Sequence, residues 1–564
     1  MQYNLIRTKE NSNEQITGFG GLNRLDKPQK NEFAAMKNMS SDHYPCLAPA
    51  KAAKTALTWS DEIKAVIAPK YSDNANISTF TGVAGNTFYY MDTPVSTNIP
   101  DGDVTLADFN GRIIICVYDG KTSHMLYYDY TATGDGTVKP MEKGVNISSC
   151  TAYSSGNPQE DFEVINYLEA NVTWGFNEGD SVFIEGFTGN LADNNTVQLD
   201  SRYQNVSASK VISCIVEKVV DNRLYLQLYN RDGNRLVLKG GTGSNINVYT
   251  KIPTMNHICI HNNRLWGTNP NGEYIYASKL GDPFNFNTFQ GLANDSFYAE
   301  IGTAGGFTGI VSYRDNLVAF KREYIHHIYG DKPSNFTIPK QLSDCGCIDI
   351  RSAVQIGSML YFLGYGGFYV YNGGQPQLIS QKLDRKYKKA VAMTDGQKYI
   401  VSCRGKDGNE LLVYDTRYGL WHVEEKINAV GSFRWHDKLY IAAAIGYSNQ
   451  ANRVIEYSSQ APQDWECESV IIHDDIFDNK GMTELWIRAS IAEGASIDVS
   501  TSEDGGEFLH RGTLKGTGTL KVYRIPIRFI NGEFYQYRLD GKGAAVIHSI
   551  ERVISSGGRQ YKGV

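Results

Sequence analysis

Few residue groups in this chain have both the types and the spacing that metal binding requires. Cys345-Gly346-Cys347 could begin a zinc site, but zinc needs two further ligands, and no second Cys or His pair stands at a compatible spacing. His326 and His327 are adjacent within a predicted strand, where neighbouring side chains point to opposite faces. Neither group therefore predicts a metal site.

The carboxylates give little support to calcium binding or to acid–base catalysis. Asp101–Gly111 contains three aspartates but lacks the ligand spacing and terminal Glu of a calcium loop. Glu178 and Asp180 stand at a turn, where we expect solvated carboxylates rather than an acid–base pair. The sequence holds no serine-hydrolase elbow, phosphate loop, zinc-protease motif or dinucleotide fingerprint. We therefore predict no catalytic, cofactor-binding or metal-binding residue, no cofactor and no enzyme activity.

One short motif, SEDGGEF at Ser502–Phe508, is similar to the Asp-box of sialidase-type propellers. That motif places an aromatic residue three positions after its glycine, and here Phe508 arrives one position early. The motif occurs once and no arginine triad accompanies it. We therefore interpret Asp504-Gly505 as a hairpin turn.

The composition predicts an all-β protein of two to four domains. The 564 residues include 55 glycines and 36 tyrosines, which fits glycine-rich turns between aromatic strands. The net charge of −6, without a basic run, argues against a dedicated nucleic-acid binder.

The first residues lack the apolar core of a signal peptide, and no apolar stretch is long enough for a membrane span. The nine cysteines are scattered through apolar strands, which favours reduced thiols and cytosolic synthesis.

A repeat with a period of about 43 residues organises the centre of the chain. Tyr329, Tyr371, Tyr414 and Tyr457 each follow or end a short apolar strand, and they stand 42, 43 and 43 residues apart. Two more strands precede each tyrosine strand, and their turns hold Asn, Asp or Gly, which tolerate positive φ. Further copies of the tyrosine strand stand at Tyr90, Tyr128 and Tyr276. This pattern predicts a seven-bladed (six to eight) β-propeller, whose sheets bury one another's faces.

Two regions interrupt the repeat. The 148 residues between Tyr128 and Tyr276 exceed one blade by about 100 residues, which predicts an inserted small β-barrel. Strict alternation near the C-terminus predicts a β-sandwich. A single short helix is predicted, within residues 29–40. The predicted organisation is an N-terminal segment leading into the propeller at 1–60, the propeller at 61–144 and 253–461, the barrel at 145–252 and the C-terminal β-sandwich at 462–564.

Exposed tryptophans could bind sugars, which is a common function of propellers and sandwiches. Trp266 and Trp435 flank the repeated middle strands, so we expect them to be buried between blades. For Trp174 the sequence leaves burial and exposure equally open. The candidates are Trp174, Trp266, Trp421, Trp435 and Trp486.

The segment Asn262–Phe286, NNRLWGTNPNGEYIYASKLGDPFNF, resembles a blade of bacteriophage tail proteins, in which Ser-Lys-x-Gly-Asp-Pro-x-Asn-Phe follows a strand pair. DNLVAFKREYIHHIYG and GSMLYFLGYGGFYVYNGG also look like blades of that family. Gly18–Ala50 is similar to its N-terminal segment, and FNEGDSVFIEGFTGNLADNN looks like modules found in phage tail proteins. The family is that of tail nozzle, tail-tubular or tail-hub proteins with a β-propeller, and the resemblance covers most of residues 15–460.

The resemblance implies a structural protein of the virion tail, assembled in the host cytoplasm. Proteins of this family form closed rings, commonly of six subunits, below the portal and adaptor. Genomic DNA passes through the ring on ejection without sequence-specific binding. The expected partners are therefore further copies of the chain, the portal and adaptor, and other tail proteins. Because the chain is net acidic, we expect a negative channel surface that does not hold DNA.

Two alternatives remain open at this point. A carbohydrate- or receptor-binding propeller at the tail tip would show exposed aromatic shelves beside Asp or Asn in several blades. A glycan-cleaving propeller enzyme, the less favoured alternative, would bring carboxylates together on the propeller axis, roughly 5–9 Å apart.

Overall fold

A computed structural model describes residues 11–68, 78–131, 133–156, 164–188, 211–229, 236–270, 272–339, 345–405, 408–424, 426–444, 451–473, 480–527 and 532–556. Within these ranges nearly all regular structure is β-strand, so the predicted all-β fold is confirmed. The helical segments described are two 3₁₀ turns, Ile350–Ser352 and Gln381–Leu383. None of the helices in these ranges has the length and apolar character needed to cross a membrane.

The strands are numbered β1 to β46 in chain order. The first part of the chain contains β1 (Asn11–Ile16), β2 (Phe33–Lys37), β3 (Met39–Ser40), β4 (Ala48–Pro49), β5 (Ala52–Thr58), β6 (Ile63–Val66), β7 (Gly82–Ala84), β8 (Thr87–Tyr90), β9 (Thr93–Ser96), β10 (Asp103–Phe109), β11 (Arg112–Tyr118), β12 (Ser123–Asp129) and β13 (Val138–Pro140). The next part contains β14 (Gly144–Ile147), β15 (Cys150–Ser155), β16 (Ile165–Glu169), β17 (Ser181–Glu185), β18 (Val211–Val220), β19 (Arg223–Gln227), β20 (Gly241–Gly243) and β21 (Ile246–Tyr249).

The central strands are β22 (His257–His261), β23 (Arg264–Thr268), β24 (Tyr274–Ala277), β25 (Phe297–Glu300), β26 (Phe307–Tyr313), β27 (Asn316–Lys321), β28 (Ile325–Ile328), β29 (Val354–Ile356), β30 (Met359–Gly364), β31 (Gly367–Tyr371), β32 (Gln377–Leu378), β33 (Lys389–Thr394), β34 (Lys398–Gly405), β35 (Gly408–Asp415), β36 (Leu420–Glu424), β37 (Asn428–Trp435), β38 (Lys438–Ala444) and β39 (Ala451–Gln460). The last strands are β40 (Asp464–Ser469), β41 (Lys480–Ile491), β42 (Ser496–Glu503), β43 (Leu509–Lys515), β44 (Leu520–Pro526), β45 (Tyr535–Lys542) and β46 (Ala545–Ser556).

The chain divides into two compact units. The first unit consists of Met1–Gly85, Tyr90–Asp92 and Ile348–Val564, and the second consists of Asn86–Tyr89 and Thr93–Cys347.

In the second unit, three antiparallel sheets follow the repeat seen in the sequence. Their strand orders are β10-β11-β12-β13, β22-β23-β24-β25 and β26-β27-β28, so each sheet is a meander of consecutive strands. The first strand of each sheet packs on the first strand of the next. Apolar side chains such as Ile114, Met255 and Leu265 fill the space between the first two sheets, and Trp266 and Phe307 contribute to the core between the second and third. Each sheet thus buries a face that it could not bury alone.

The turns between first and second strands have the chemistry that two-residue hairpins need. Asn110 and Gly111 have φ of +49° and +91°, and Asn262 and Asn263 have φ of +47° and +56°. Two successive residues with positive φ give the turn a twist that matches that of the flanking strands. The Asn, Asp and Gly pattern therefore predicted these turns correctly.

The residues inserted between β13 and β22 form an eight-stranded antiparallel sheet of order β14-β21-β17-β18-β19-β16-β15-β20. Short links connect its two edges: two residues join β14, at one edge, to β15, next to the other edge, and two residues join β20, at that other edge, to β21, next to the first. A separate apolar core that includes Trp174, Leu168, Leu224 and Ile184 lies on one face of the sheet. This sheet and its core are called the inserted module below.

The first unit contains three further meanders, of order β29-β30-β31-β32, β33-β34-β35-β36 and β37-β38-β39-β5. The fourth strand of the last sheet comes from the N-terminal part of the chain, where Leu57 and Thr55 pair with Val454 and Ile455. A strand 400 residues away in sequence therefore completes this sheet, which the repeat pattern did not reveal. Strand β6 pairs with β7 and packs against β37.

Two antiparallel sheets near the C-terminus share one apolar core in the first unit. Their orders are β1-β46-β41-β44 and β2-β40-β45-β42-β43, so each sheet takes one strand from the first 40 residues. The inward-facing residues include Ile487 and Ile550 of the first sheet and Val499 and Leu539 of the second.

The short helix predicted within residues 29–40 is wrong. That segment forms β2 and β3, and β2 pairs with β40. A bulge between Phe33 and Ala35 shifts the alternation, so Phe33 and Met36 are both buried although they are three residues apart. Asn38, with φ of +54°, then turns the chain so that Met39 is also buried. A spacing that suits a helix is thus produced by an irregular strand.

All nine cysteines lie in described ranges, and each is a free thiol. Six of them are buried and three are partly exposed. Burial raises the pKa of the Cys116 thiol to about 12, so this group is an inert apolar side chain. Six of the nine lie in strands, so the prediction of unpaired thiols packed mostly in strands is confirmed.

Candidate functional site

Arg264 is a buried cation at the start of β23, and backbone carbonyls hold its guanidinium. Nη1 donates to Ser278 O at 2.8 Å and to Asp295 O at 2.5 Å, while Nη2 donates to Ala293 O at 2.9 Å. Ser278 Oγ in turn accepts from Leu265 N at 3.0 Å. The residue is only 1% exposed, and desolvation lowers the pKa of its guanidinium. Arg264 therefore ties the segment after β24 to the middle of its sheet.

The segment Ser278–Phe286, within the stretch that resembles phage tail blades, is a compact loop. The Asp282 carboxylate accepts from Phe284 N at 3.0 Å across the intervening proline. Lys279 N donates to Asn285 O at 2.7 Å, which closes the loop. The polar side chains of this segment are thus used inside the fold.

Asn285 and Asn287 connect this loop to the inserted module. Asn285 Nδ2 donates to Gly179 O at 2.9 Å, and Ser181 Oγ donates to Asn287 O at 3.1 Å. Asn287 Nδ2 also donates to Lys251 O at 2.6 Å, next to the point where the module ends. These five residues are called the junction. Because the junction joins the start of β17 and the chain just after β21 to one loop, it fixes the module on the sheet β22–β25.

Replacing Asn285 by alanine should weaken the junction. The change removes the bond to Gly179 O and the two bonds that Asn285 Oδ1 accepts, from Asn287 N at 3.2 Å and Thr288 Oγ1 at 2.9 Å. Because Asn285 is 4% exposed, water cannot readily replace these bonds, and we expect a loss of about 2 kcal/mol in unfolding free energy. Urea unfolding combined with hydrogen exchange of β24 and β25 measures it.

The matched control is Asn294→Ala, an exposed asparagine of the same loop. We expect this variant to keep wild-type stability. Equal stability of the two variants would show that the junction contributes nothing.

Sequence reasoning missed the roles of Arg264 and Asn285. It singled out their segment through the resemblance alone. A charged residue that directly precedes the apolar run Leu265–Trp266, in a strand that should be buried, was a usable signal. The neighbouring sequence could not indicate the contact that Asn285 makes with the inserted module, because its partner Gly179 is 106 residues away.

A second group of polar side chains lies in the first unit, between the N-terminal segment and the sheet β33–β36. Ser41 Oγ donates to Asp415 Oδ2 at 2.5 Å, and Lys398 Nζ donates to Asp42 Oδ1 at 2.5 Å. The Ser41 cluster consists of Ser41, Asp42, Lys398, Asp415, His422, Glu424 and Tyr457. Most of its members are buried.

The Ser41 cluster contains the residue types of a nucleophile, base and orienting acid, but not their geometry. Ser41 Oγ lies 3.4 Å from His422 Nε2, while its hydroxyl donates to Asp415. His422 Nδ1 lies 3.7 Å from Glu424 Oε1, beyond hydrogen-bond distance. The adjoining cavity, of about 20 Å³, holds about one water molecule. The cluster is therefore an internal tie between segments, without room for a substrate.

Burial sets the protonation states of the cluster. Desolvation and, to a smaller extent, nearby Lys398 lower the pKa of His422 to about 3, so the imidazole is neutral at pH 7. Desolvation raises the pKa of Glu424 to about 7, although Lys398 and a hydrogen bond from Tyr457 OH at 2.6 Å oppose the shift. His422 and Glu424 are therefore not an ion pair at neutral pH.

The Asp504-Gly505 turn is confirmed. The two residues have φ of +47° and +74°, and Gly506 N donates to Glu503 O at 2.8 Å. Asp504 Oδ1 also accepts from the backbone N–H of Phe534 at 3.0 Å. The turn therefore accounts for an aspartate and a glycine at these two positions, and no Asp-box is needed to explain them.

The adjacent histidines are placed apart, as the strand pattern predicted. His326 is buried with Nε2 at 2.9 Å from Thr303 Oγ1, whereas His327 stacks on Tyr329 at 5.1 Å. Cys347 is buried and Cys345 partly exposed. Within the described ranges, no group of three or more His, Cys, Asp or Glu side chains is placed to hold a metal ion.

The prediction of two solvated carboxylates at Glu178 and Asp180 is wrong for Asp180. Glu178 is exposed, but Asp180 is 7% exposed and accepts from Lys143 Nζ at 2.9 Å and Asn177 N at 2.8 Å. In Asp101–Gly111, Asp108 accepts from Tyr130 OH at 2.6 Å. Both aspartates are used in internal contacts.

The tryptophans are mostly core residues. Trp174, Trp266 and Trp421 are each 1% exposed, which settles Trp174 as part of the inserted module's core and confirms Trp266 as buried. Trp435 is only half-buried, and its ring lies edge-on to His436 at 4.7 Å. Trp486 is half-buried under Arg524, whose guanidinium lies 4.3 Å from the ring centroid.

Comparison with known proteins finds similarity only among solved structures. No protein-family model matches the chain, and no curated protein sequence does. An exo-β-1,3-galactanase from Phanerochaete chrysosporium is 9% identical, with a TM-score of 0.21, over 81% of this chain and 97% of its own. A family 43 arabinoxylan arabinofuranohydrolase from Bacillus subtilis is 10% identical, with a TM-score of 0.15, over 79% and 78% of the two chains. A family 29 carbohydrate-binding module is 6% identical, with a TM-score of 0.10, over 21% and 72%.

This comparison corrects the prediction that the chain is not an enzyme. Two of the three structures described above are glycoside hydrolases, so the absence of sequence motifs does not justify excluding enzyme activity. At these TM-scores the likeness carries no argument about a particular reaction, substrate or catalytic residue.

Proposed function

We propose that this chain is a structural protein of a bacteriophage tail, a nozzle or hub subunit of the DNA ejection channel. The observation that carries the proposal is that the segment resembling tail proteins makes contacts inside the fold. Within this segment Asn285 donates to Gly179 O at the junction with the inserted module, and Arg264 holds the loop that carries Asn285 on its sheet. A motif used for internal architecture fits a protein whose function is to present rigid surfaces to its neighbours.

The proposal includes a finer description of the fold. The seven tyrosine-strand copies would be the blades of one β-propeller, with β5 completing the last blade. Three sheets in each unit have the expected meander, which supports this description. The inserted module would be a β-barrel, because short connections join the strands at the two ends of its sheet. The two C-terminal sheets that share one core would form a β-sandwich.

The proposed partners are further copies of the chain, the portal and adaptor, and other tail proteins. We expect a ring in the virion tail after assembly in the host cytoplasm, and the resemblance implies six copies. Genomic DNA would pass through an acidic channel without sequence-specific contacts, in keeping with the net charge of −6.

Electron microscopy of the purified full-length chain in negative stain tests ring formation. We expect closed rings of uniform diameter with a central hole, because cyclic symmetry closes a heterologous interface. A field of single compact particles at every concentration would count against the proposal. A channel lined by basic side chains in such a ring would contradict the expected acidic surface.

A carbohydrate- or receptor-binding protein of the tail tip is the second candidate, and one observation favours it. Phe289 and Tyr298 are 52% and 55% exposed, and their rings meet edge to face at 5.4 Å. Tyr274 lies 6.4 Å from Tyr298, and Glu300 pairs opposite Tyr274 in the neighbouring strand. This candidate requires exposed aromatic shelves beside Asp or Asn in several blades, and this single shelf beside a glutamate supports it in one sheet. The similar solved structures described above are named as carbohydrate-acting or carbohydrate-binding proteins, which fits this candidate better than the tail-channel proposal.

A further inference from the structure

Three tyrosines form a straight row across the outer face of the inserted module. Tyr153 of β15 stands directly opposite Tyr167 of β16, which stands directly opposite Tyr225 of β19. The ring centroids are 4.8 Å and 5.2 Å apart. The neighbouring residues Leu168 and Leu224 are buried in the module's core, so the tyrosines face outward.

Solvent reaches the row at its β15 end. Tyr153 is 45% exposed, and Tyr167 and Tyr225 are partly exposed. At the other end Lys218 pairs opposite Tyr225, with Nζ 4.8 Å from the ring centroid. The exposed apolar side chain of Ile165 lies two residues from Tyr167 on the same face. The row therefore presents aromatic and apolar surface to the outside.

A second outward row of polar groups runs parallel to the tyrosines. Glu169 stands opposite Thr151 and Arg223 in the two neighbouring strands. Arg223 Nε donates to Glu169 Oε2 at 2.9 Å, and the Arg223 guanidinium lies 5.0 Å from the Tyr167 ring centroid. Asn222 Nδ2 also donates to Glu169 at 3.3 Å. Planar donors and acceptors thus line one side of the aromatic row.

The charges around the row discriminate between classes of ligand. Lys218 and Arg223 are balanced by Glu169 and by the exposed Asp221 of the connecting turn. A single-stranded nucleic acid would need an excess of positive charge along its backbone. A neutral chain of sugar rings needs aromatic surface for its apolar faces and planar polar groups for its hydroxyls, which are the two rows described here.

We propose that the tyrosine row of the inserted module binds a neutral linear oligosaccharide. Sugar rings would lie along Tyr153, Tyr167 and Tyr225, and their hydroxyls would bond to Thr151, Glu169 and Arg223. The proposal rests on the second candidate function and does not depend on ring formation. The alternative is that the tyrosines only stabilise the sheet as cross-strand pairs.

The experiment is calorimetric titration of the full-length chain with maltohexaose, cellohexaose and xylohexaose, with a dodecathymidylate as the anionic probe. We expect at least one hexasaccharide to bind, and Tyr153→Ala to weaken that binding at least about tenfold. Tyr153→Leu keeps apolar bulk in the sheet without a ring face. We expect it to weaken binding equally while the melting temperature stays at the wild-type value.

Tyr365→Ala is the matched control, because this tyrosine is 78% exposed and lies outside the module. It should bind the hexasaccharide as the wild type does. The proposal is overturned if no hexasaccharide binds, if only the dodecathymidylate binds, or if both Tyr153 variants keep wild-type affinity. Because electron microscopy tests the ring separately, failure here leaves the ring proposal standing, and the reverse also holds.

Discussion

Replacing Arg264 by alanine is expected to lower the free energy of unfolding by about 3–5 kcal/mol. The change leaves three backbone carbonyls, of Ser278, Asp295 and Ala293, without their donor in a buried site. It also removes a large side chain that is 1% exposed. The segment between β24 and β25 should lose its attachment to the sheet.

Hydrogen exchange is the appropriate measurement, because a chain of two units need not unfold in one step. We expect faster exchange in β24, β25 and the intervening loop, with unchanged exchange in β41 and β46 of the other unit. Arg264→Lys should recover part of the protection, since lysine keeps the charge and some of the donors. The exposed Arg322→Ala is the control. Unchanged exchange in Arg264→Ala would show that the carbonyl contacts do not stabilise the loop.

Replacing Glu424 by glutamine is expected to stabilise the protein at pH 8. The pKa of Glu424 is about 7 in the folded protein against an ordinary value of 4.5. The folded state therefore holds this proton more tightly than the unfolded state, and its stability falls as pH rises from 4.5 through 7. A shift of this size corresponds to about 3 kcal/mol lost above pH 7. Glutamine keeps an oxygen that can accept from Tyr457 OH and carries no charge at any pH.

Chemical denaturation of both proteins at pH 4.5, 6 and 8 measures this effect. We expect the variant to be more stable by about 2–3 kcal/mol at pH 8 and equal to the wild type at pH 4.5. The pKa of His422 is lowered to about 3, so the unfolded state takes up this proton more readily and stability falls as pH falls below 6.5. This loss of stability is the same in both proteins and cancels in the comparison. Glu178→Gln is the exposed control. A stability difference that does not change with pH would contradict the account.

The strands and their turns were predictable because their signals are local. Tyr128, Tyr276, Tyr371, Tyr414 and Tyr457 all lie in the third strand of a four-stranded meander, as the repeat predicted. Turn residues report the backbone angles that they must adopt, and alternation reports which side of a strand is buried.

What could not be predicted depends on partners distant in sequence. Nothing in β5 indicates that it pairs with β39, and nothing in β1 indicates β46, because an edge strand has the same local pattern whichever strand it joins. The bulge at Phe33 and Ala35 imitated helical spacing for the same reason, since only pairing with β40 reveals the extra residue. Asp180 was expected near water, but it accepts from Lys143, which comes from a segment 37 residues earlier in the chain.

The copy number of the full-length chain in solution tests the central claim most directly. Sedimentation equilibrium over a wide range of protein concentration gives this number without any assumption about the shape of the particle. The account predicts one closed assembly, whose mass is a small multiple of 62.8 kDa and which is commonly sixfold in the family that the sequence resembles. A species of 62.8 kDa at every concentration would contradict ring formation, and with it the proposal that this chain builds a tail channel.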